Sequence, residues 1–98
     1  MTTLDLDVAT LCGQLIVGGF AGPDLSPRFE KALREGKRGG AILFRRNLPS
    51  IEAASRVCDA VRTAAGDELP PFIGVDQEGG RVTRLPAPFL TLPPMRAL

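Results

Sequence analysis

Three short apolar runs, Leu15-Ile16-Val17, Ala41-Ile42-Leu43-Phe44 and Phe72-Ile73-Gly74-Val75, each break off in glycine or polar residues without alternating apolar and polar positions. A strand that is wet on one face alternates. A run that is apolar throughout needs cover on both faces, the condition of a parallel sheet clothed by helices. The intervals between the runs read as those helices. Asp7 to Cys12 sets Val8, Leu11 and Cys12 at helical spacing, with a stop near Gly13. Ser26-Pro27 is a helix start, where the hydroxyl caps free amides and the proline occupies a first turn that needs no N–H from it. That helix runs to about Glu35 and stops at Gly36, with Phe29 and Leu33 inward and Arg28, Glu30, Lys31 and Arg34 toward water. Ser50 caps a third helix reaching about Ala65, with Ile51, Ala54, Val57, Cys58, Val61 and Ala65 on its apolar stripe.

Helix then strand, three times over, is the rhythm of successive βαβ units and predicts an α/β fold. Right-handed crossovers set the three strands parallel and side by side. In such sheets, open or closed into a (β/α)8 barrel, ligands bind beyond the carboxyl ends of the strands. Here those ends are Gly18-Gly19, Arg46-Asn47 and Asp76 onward, so glycine and polar residues converge on one rim.

The third strand end is the richest. Asp76-Gln77-Glu78-Gly79-Gly80-Arg81-Val82-Thr83-Arg84 packs carboxylates and guanidinium groups around a glycine pair able to turn sharply and approach a ligand closely. An ionised aspartate accepts hydrogen bonds from two neighbouring hydroxyls, and an arginine offers a fork of donors. The plainer roles stand beside these: Asp76 capping its own turn, and Arg84 as a salt-bridge partner. Glu78 reads as structural, pairing with Arg81 or capping amides. Asp76 and Glu78 do not read as an acid and nucleophile pair of carboxylates, because two residues in so tight a turn would have to face one reacting bond from opposite sides. Arg46 and Asn47 read as supports of the neighbouring loop at the rim. Gly79-Gly80 is no phosphate cradle, since neither G-x-G-x-x-G nor a following lysine is present.

Composition narrows the chemistry. With 44% hydrophobic and 23% charged residues and a net charge of +1, the chain is an ordinary globular sequence with no general attraction to nucleic acid or anionic membrane. No apolar run approaches the ~20 residues of a membrane span, and the acidic start is unlike a secretory leader, so a cytoplasmic location is the default. Cys12 and Cys58 lack metal or redox spacing and are expected as packed, reduced thiols. The chain has no histidine, which leaves acid–base chemistry within it to carboxylates. No metal or organic cofactor is implied. Beyond Arg84, Pro86, Pro88, Pro93 and Pro94 forbid regular structure, and the chain reaches an apolar Leu98 without a finishing helix.

Taken together, Gly13-Gln14-Leu15, Gly39-Gly40-Ala41-Ile42-Leu43-Phe44 with Arg46-Asn47, Asp76-Gln77-Glu78-Gly79-Gly80-Arg81-Val82 with Arg84, and Leu92-Pro93 with Met95 resemble the N-terminal part of a family 3 glycoside hydrolase. The likeness is to the bacterial β-N-acetylhexosaminidases that recycle cell-wall muropeptides. It implies a partial (β/α)8 barrel of about the first three βα units, spanning 1–98, the remainder lying downstream; a whole barrel takes about 200 residues or more. It implies retaining hydrolysis of terminal β-linked N-acetylglucosamine through an aspartate nucleophile and a histidine–aspartate pair, all beyond Leu98, so no catalytic residue is expected here. It also implies that Asp76 and Arg84 contact the non-reducing sugar, with Arg46, Asn47, Glu78, Gly79, Gly80 and Arg81 around them. Two alternatives remain: a β-glucosidase-like member of the family, and a stand-alone module that binds a sugar or a partner without catalysis. For the latter, three strands with unpaired edges are an aggregation hazard.

Overall fold

The computed structural model describes residues 5–97. Residues 1–4 and 98, part of the acidic start and the apolar end read from the sequence, lie outside that range. Helix α1 spans Val8–Gln14, strand β1 Val17–Gly18, α2 Pro27–Arg34, β2 Gly40–Leu43, α3 Ile51–Ala65 and β3 Phe72–Val75. Short 3-10 turns follow at Arg45–Asn47 and Met95–Ala97. The strands form one sheet in the order β1-β2-β3, every pair parallel, with Val17 beside Gly40 and Gly40 through Leu43 beside Phe72 through Val75. This is the expected set of three βα units.

The helix starts follow from local chemistry. The Asp7 carboxylate accepts the Thr10 amide at 2.7 Å, the Ser26 hydroxyl accepts that of Phe29 at 3.3 Å, and the Ser50 hydroxyl accepts that of Ala53 at 3.1 Å. Each satisfies an amide that the first turn leaves without a helical acceptor. The Thr10 hydrogen bond also holds the Asp7 carboxyl below its usual range. Gln14, at the end of α1, donates from its side-chain amide to the carbonyls of Gly36 and Arg38 at 2.9 and 3.2 Å, tying α1 to the turn that feeds β2.

The core lies on one side of the sheet. Ala41 and Leu43, alternate residues of β2, face Phe29 and Leu33 of α2 and Val57 and Val61 of α3, with Phe20 and Leu48 closing the ends. Phe20 and Phe29 pack with ring centroids 5.5 Å apart. Gly40 leaves no room for a side chain between β2 and β3: a Cβ there would sit 2.1 Å from the Phe72 carbonyl oxygen, so no larger residue fits without separating the strands.

Four expectations are corrected. Leu15-Ile16-Val17 is not a buried strand: β1 is two residues long and these side chains are 85, 47 and 46% exposed. The α1 stripe is exposed too, Val8 at 74% and Leu11 at 51%. Both lie at an edge of the sheet where nothing within the described residues covers them. Of the thiols, Cys58 packs partly against the core, but Cys12 is exposed and not packed. On α3 the expected Val57 and Val61 are buried and Ala54 and Cys58 pack partly against the core, but Ile51 is 40% exposed and Ala53 is buried in addition.

Candidate functional site

The carboxyl ends of the three strands do converge. Asp76 leaves β3 directly, and the chain then turns through Gly79 and Gly80, whose φ angles are +81° and +57°. Only glycine adopts these readily. At Gly79 space forbids a side chain as well, since a Cβ would lie 2.2 Å from the Pro93 carbonyl oxygen. The turn is closed by backbone hydrogen bonds from Glu78 and Gly79 to the Val82 carbonyl at 2.9 and 3.1 Å, and is fastened to the proline-rich tail by Gly80 N–H to the Leu92 carbonyl at 3.0 Å. Thr83 adds a hydroxyl bond to the Gly80 carbonyl at 3.0 Å.

This turn brings Arg84 back to Asp76. Their nearest guanidinium nitrogen and carboxylate oxygen are 3.8 Å apart, with the arginine side chain 28% and the aspartate 42% exposed. The separation is outside hydrogen-bonding range, and a half-wet pair at this distance contributes little to stability. Both groups thus keep free polar capacity. The Nε of Arg84 is buried with no hydrogen-bond partner among the described residues. A buried donor left in this state costs about 1–3 kcal/mol unless something accepts from it.

Phe44, at the end of β2, lies beneath both rim guanidinium groups, with the Arg46 carbon 5.0 Å and the Arg84 carbon 5.7 Å from the ring centroid. Such contacts fix the plane of a guanidinium without consuming its donors. Arg46 also donates from Nε to the Phe20 carbonyl at 3.0 Å, holding the loop after β1. Asn47 is wholly buried: its amide nitrogen donates to the carbonyls of Phe20 and Gly22 at 3.0 and 2.7 Å, and its oxygen accepts the Phe44 amide at 2.9 Å. It therefore supports two strand ends from below and does not line the rim. Arg45 reaches across to the Thr83 carbonyl, joining the β2 end to the glycine turn.

Glu78 and Arg81 are both exposed, and among the described residues no ion pair joins them, so the expected pairing is absent. Gln77 and Phe44 were not among the residues expected to shape the site. An amide between two carboxylates at a strand end, and an aromatic at the end of an aliphatic strand, were the available signals. No group of metal-binding side chains occurs among the described residues. The apolar groove between α3 and β3, about 410 Å³, is lined by Ile51, Ala54, Cys58, Ile73, Val75 and Leu85 and contains neither Asp76 nor Arg84. Its polar lining residues, Ser55, Asp59 and Arg62, all come from α3, and Asp59 and Arg62 pair with each other at 3.3 Å, whereas the rim draws polar groups from two strand ends.

No family model matches the chain. It is 40% identical over 79 residues to a β-hexosaminidase of Pseudomonas aeruginosa and 35% identical over 82 residues to one of Stenotrophomonas maltophilia, covering 81 and 84% of this chain. It spans about a quarter of the length of these relatives, 23 and 24%. Among solved structures, a glycoside hydrolase family 3 β-N-acetylglucosaminidase from Paenibacillus sp. superposes with a TM-score of 0.84 at 35% identity, over 92% of this chain and 18% of that one. NagZ of Neisseria gonorrhoeae, in complex with N-trifluoroacetyl-D-glucosamine, superposes with a TM-score of 0.71 at 32% identity, over 80% of this chain and 23% of that one. The chain thus carries the sequence and the fold of an N-terminal part of a family 3 glycoside hydrolase, of the group named β-hexosaminidases.

Proposed function

We propose that these residues belong to a (β/α)8 enzyme that hydrolyses terminal β-linked N-acetylglucosamine with retention, and that they form one wall of its sugar site. The observation that carries this reading is the meeting of Asp76 and Arg84, 3.8 Å apart, at the carboxyl rim of three parallel strands. Asp76 accepts hydrogen bonds from adjacent sugar hydroxyls. Arg84 donates to a hydroxyl or carbonyl oxygen, its Nε being a donor without a protein acceptor. Arg46 and Asn47 hold the rim from behind, and Gly79, Gly80, Arg81 and Glu78 form the turn that closes it. The nucleophile and the proton donor come from the rest of the barrel, so residues 1–98 alone are inert. The muropeptides of cell-wall recycling are the source of substrate, and the cytoplasm is the compartment. No helix of the described residues is long and apolar enough to cross a membrane.

Assay of the complete protein on 4-nitrophenyl N-acetyl-β-D-glucosaminide and on 4-nitrophenyl β-D-glucoside tests the reading. Preferential release from the first supports it. Preference for the plain glucoside replaces it with the β-glucosidase-like alternative, and release from neither removes the enzymatic reading altogether.

A further inference from the structure

Arg84 is useful at the rim only if its guanidinium stands at a fixed distance from Asp76, yet its side chain is held loosely. The carboxylate is 3.8 Å away and the Phe44 ring centroid 5.7 Å, neither of them a hydrogen bond. The firm restraint acts on the backbone. The Gln77 side-chain oxygen accepts the Arg84 amide at 2.7 Å and the Leu85 amide at 3.2 Å. An amide oxygen has two lone pairs, and here both are used. Neither amide has a backbone acceptor in the turn, whose own backbone-to-backbone hydrogen bonds end at Val82.

Gln77 also follows Asp76 directly in the chain. One side chain therefore spans the glycine turn from the carboxylate end to the guanidinium end and fixes the distance between them. On this geometry, and resting on the sugar-site reading above, we infer that Gln77 is a positioning residue for substrate recognition, acting through Arg84 without touching the sugar itself. Removing its oxygen frees two adjacent amides and lets the Arg84 backbone move by the fraction of an ångström that a sugar hydrogen bond does not tolerate.

The test is a double-mutant cycle in the complete protein, read as the Kd for N-acetylglucosamine by titration calorimetry and as KM and kcat on the glucosaminide. Gln77→Met is expected to weaken N-acetylglucosamine binding about tenfold. The same substitution on an Arg84→Ala background is expected to have almost no further effect, because the residue it positions is gone. Gln77→Glu, which keeps an acceptor oxygen, restores most of the binding, and Gln77→Asn, too short to reach, does not. If the Met variant fails to fold, the Asn and Glu pair carries the test. Wild-type binding by Gln77→Met or Gln77→Asn, or an equal loss with and without Arg84, overturns the inference while the sugar site stands. Wild-type binding by Arg84→Ala overturns the sugar-site reading and the inference with it.

Discussion

At the scale of single residues, the rim divides into groups that face a ligand and groups that hold those in place. Asp76 is of the first kind. In the complete protein Asp76→Ala is expected to lower kcat/KM by about 100-fold or more, the loss of two charge-assisted hydrogen bonds, while the melting temperature stays near that of the parent. Steady-state kinetics beside a thermal melt checks both halves, and near-normal kinetics refutes the role. Asn47 is of the second kind, and the order of effects reverses. Asn47→Ala strips partners from two carbonyls and one amide at the ends of β1 and β2. Stability is expected to fall by about 3 kcal/mol in urea unfolding, with activity lost only in proportion to unfolded protein. Asp76, Arg46 and Asn47 are visible in one dimension as polar residues ending apolar strands, whereas the sugar contact of Arg84 came only from the family resemblance. Nothing in the sequence hinted that Asn47 is sealed from solvent. Gln77 was passed over because its partners, seven and eight residues on, are set by a turn whose closure follows from Gly79 and Gly80 only once the chain is folded.

At the scale of elements, what was legible is what is local. Ser26 and Ser50 cap α2 and α3 as their sequence neighbourhoods require, and Phe29 and Leu33 turn inward together because four residues make about one helical turn. Exposure of Leu15, Ile16 and Val17 was not legible, since whether an apolar strand is covered depends on what stands beside it and not on its own residues. The cap of α1 carries a pH dependence. The Asp7 carboxyl is held low by the Thr10 hydrogen bond, so the folded form binds its proton less readily than the unfolded chain does. Its contribution to α1 is complete above the ordinary carboxylate range and is lost as pH falls through the depressed value. A carboxyl-carbon NMR titration is expected to place Asp7 below an unperturbed aspartate, and Thr10→Val to relieve the larger part of that depression, since the Thr10 side-chain bond is its first cause and only the backbone amide bond remains. In the glycine turn, Gly79→Ala is expected to be severe: the residue takes a disfavoured positive φ and its Cβ collides with the Pro93 carbonyl. Loss of sugar binding at unchanged far-ultraviolet circular dichroism is the expected signature.

At the scale of the whole molecule, the α/β order and parallel sense could be inferred from alternating helical and apolar segments, but the imbalance of the sheet could not. One face of β2 is buried under α2 and α3, whereas Phe72 of β3 is 76% exposed and Val75 36%. A three-stranded sheet with open edges and an apolar groove beside α3 is poorly suited to stand by itself. Residues 1–98 expressed alone are expected to unfold without a sharp cooperative transition or to associate, as scanning calorimetry and light scattering would show. A cooperative monomeric melt would revive the stand-alone module.

The parallel order β1-β2-β3 also sets the geometry of any such association. The two outer strands are unlike each other, so a second copy that prolongs the sheet in its own sense lays its β1 along the first copy's β3 and leaves an identical pair of ends free. Growth by that rule has no natural stopping point at two. It builds rings where the rotation between copies closes and filaments where it does not, and in either case the scattering passes the value of a dimer.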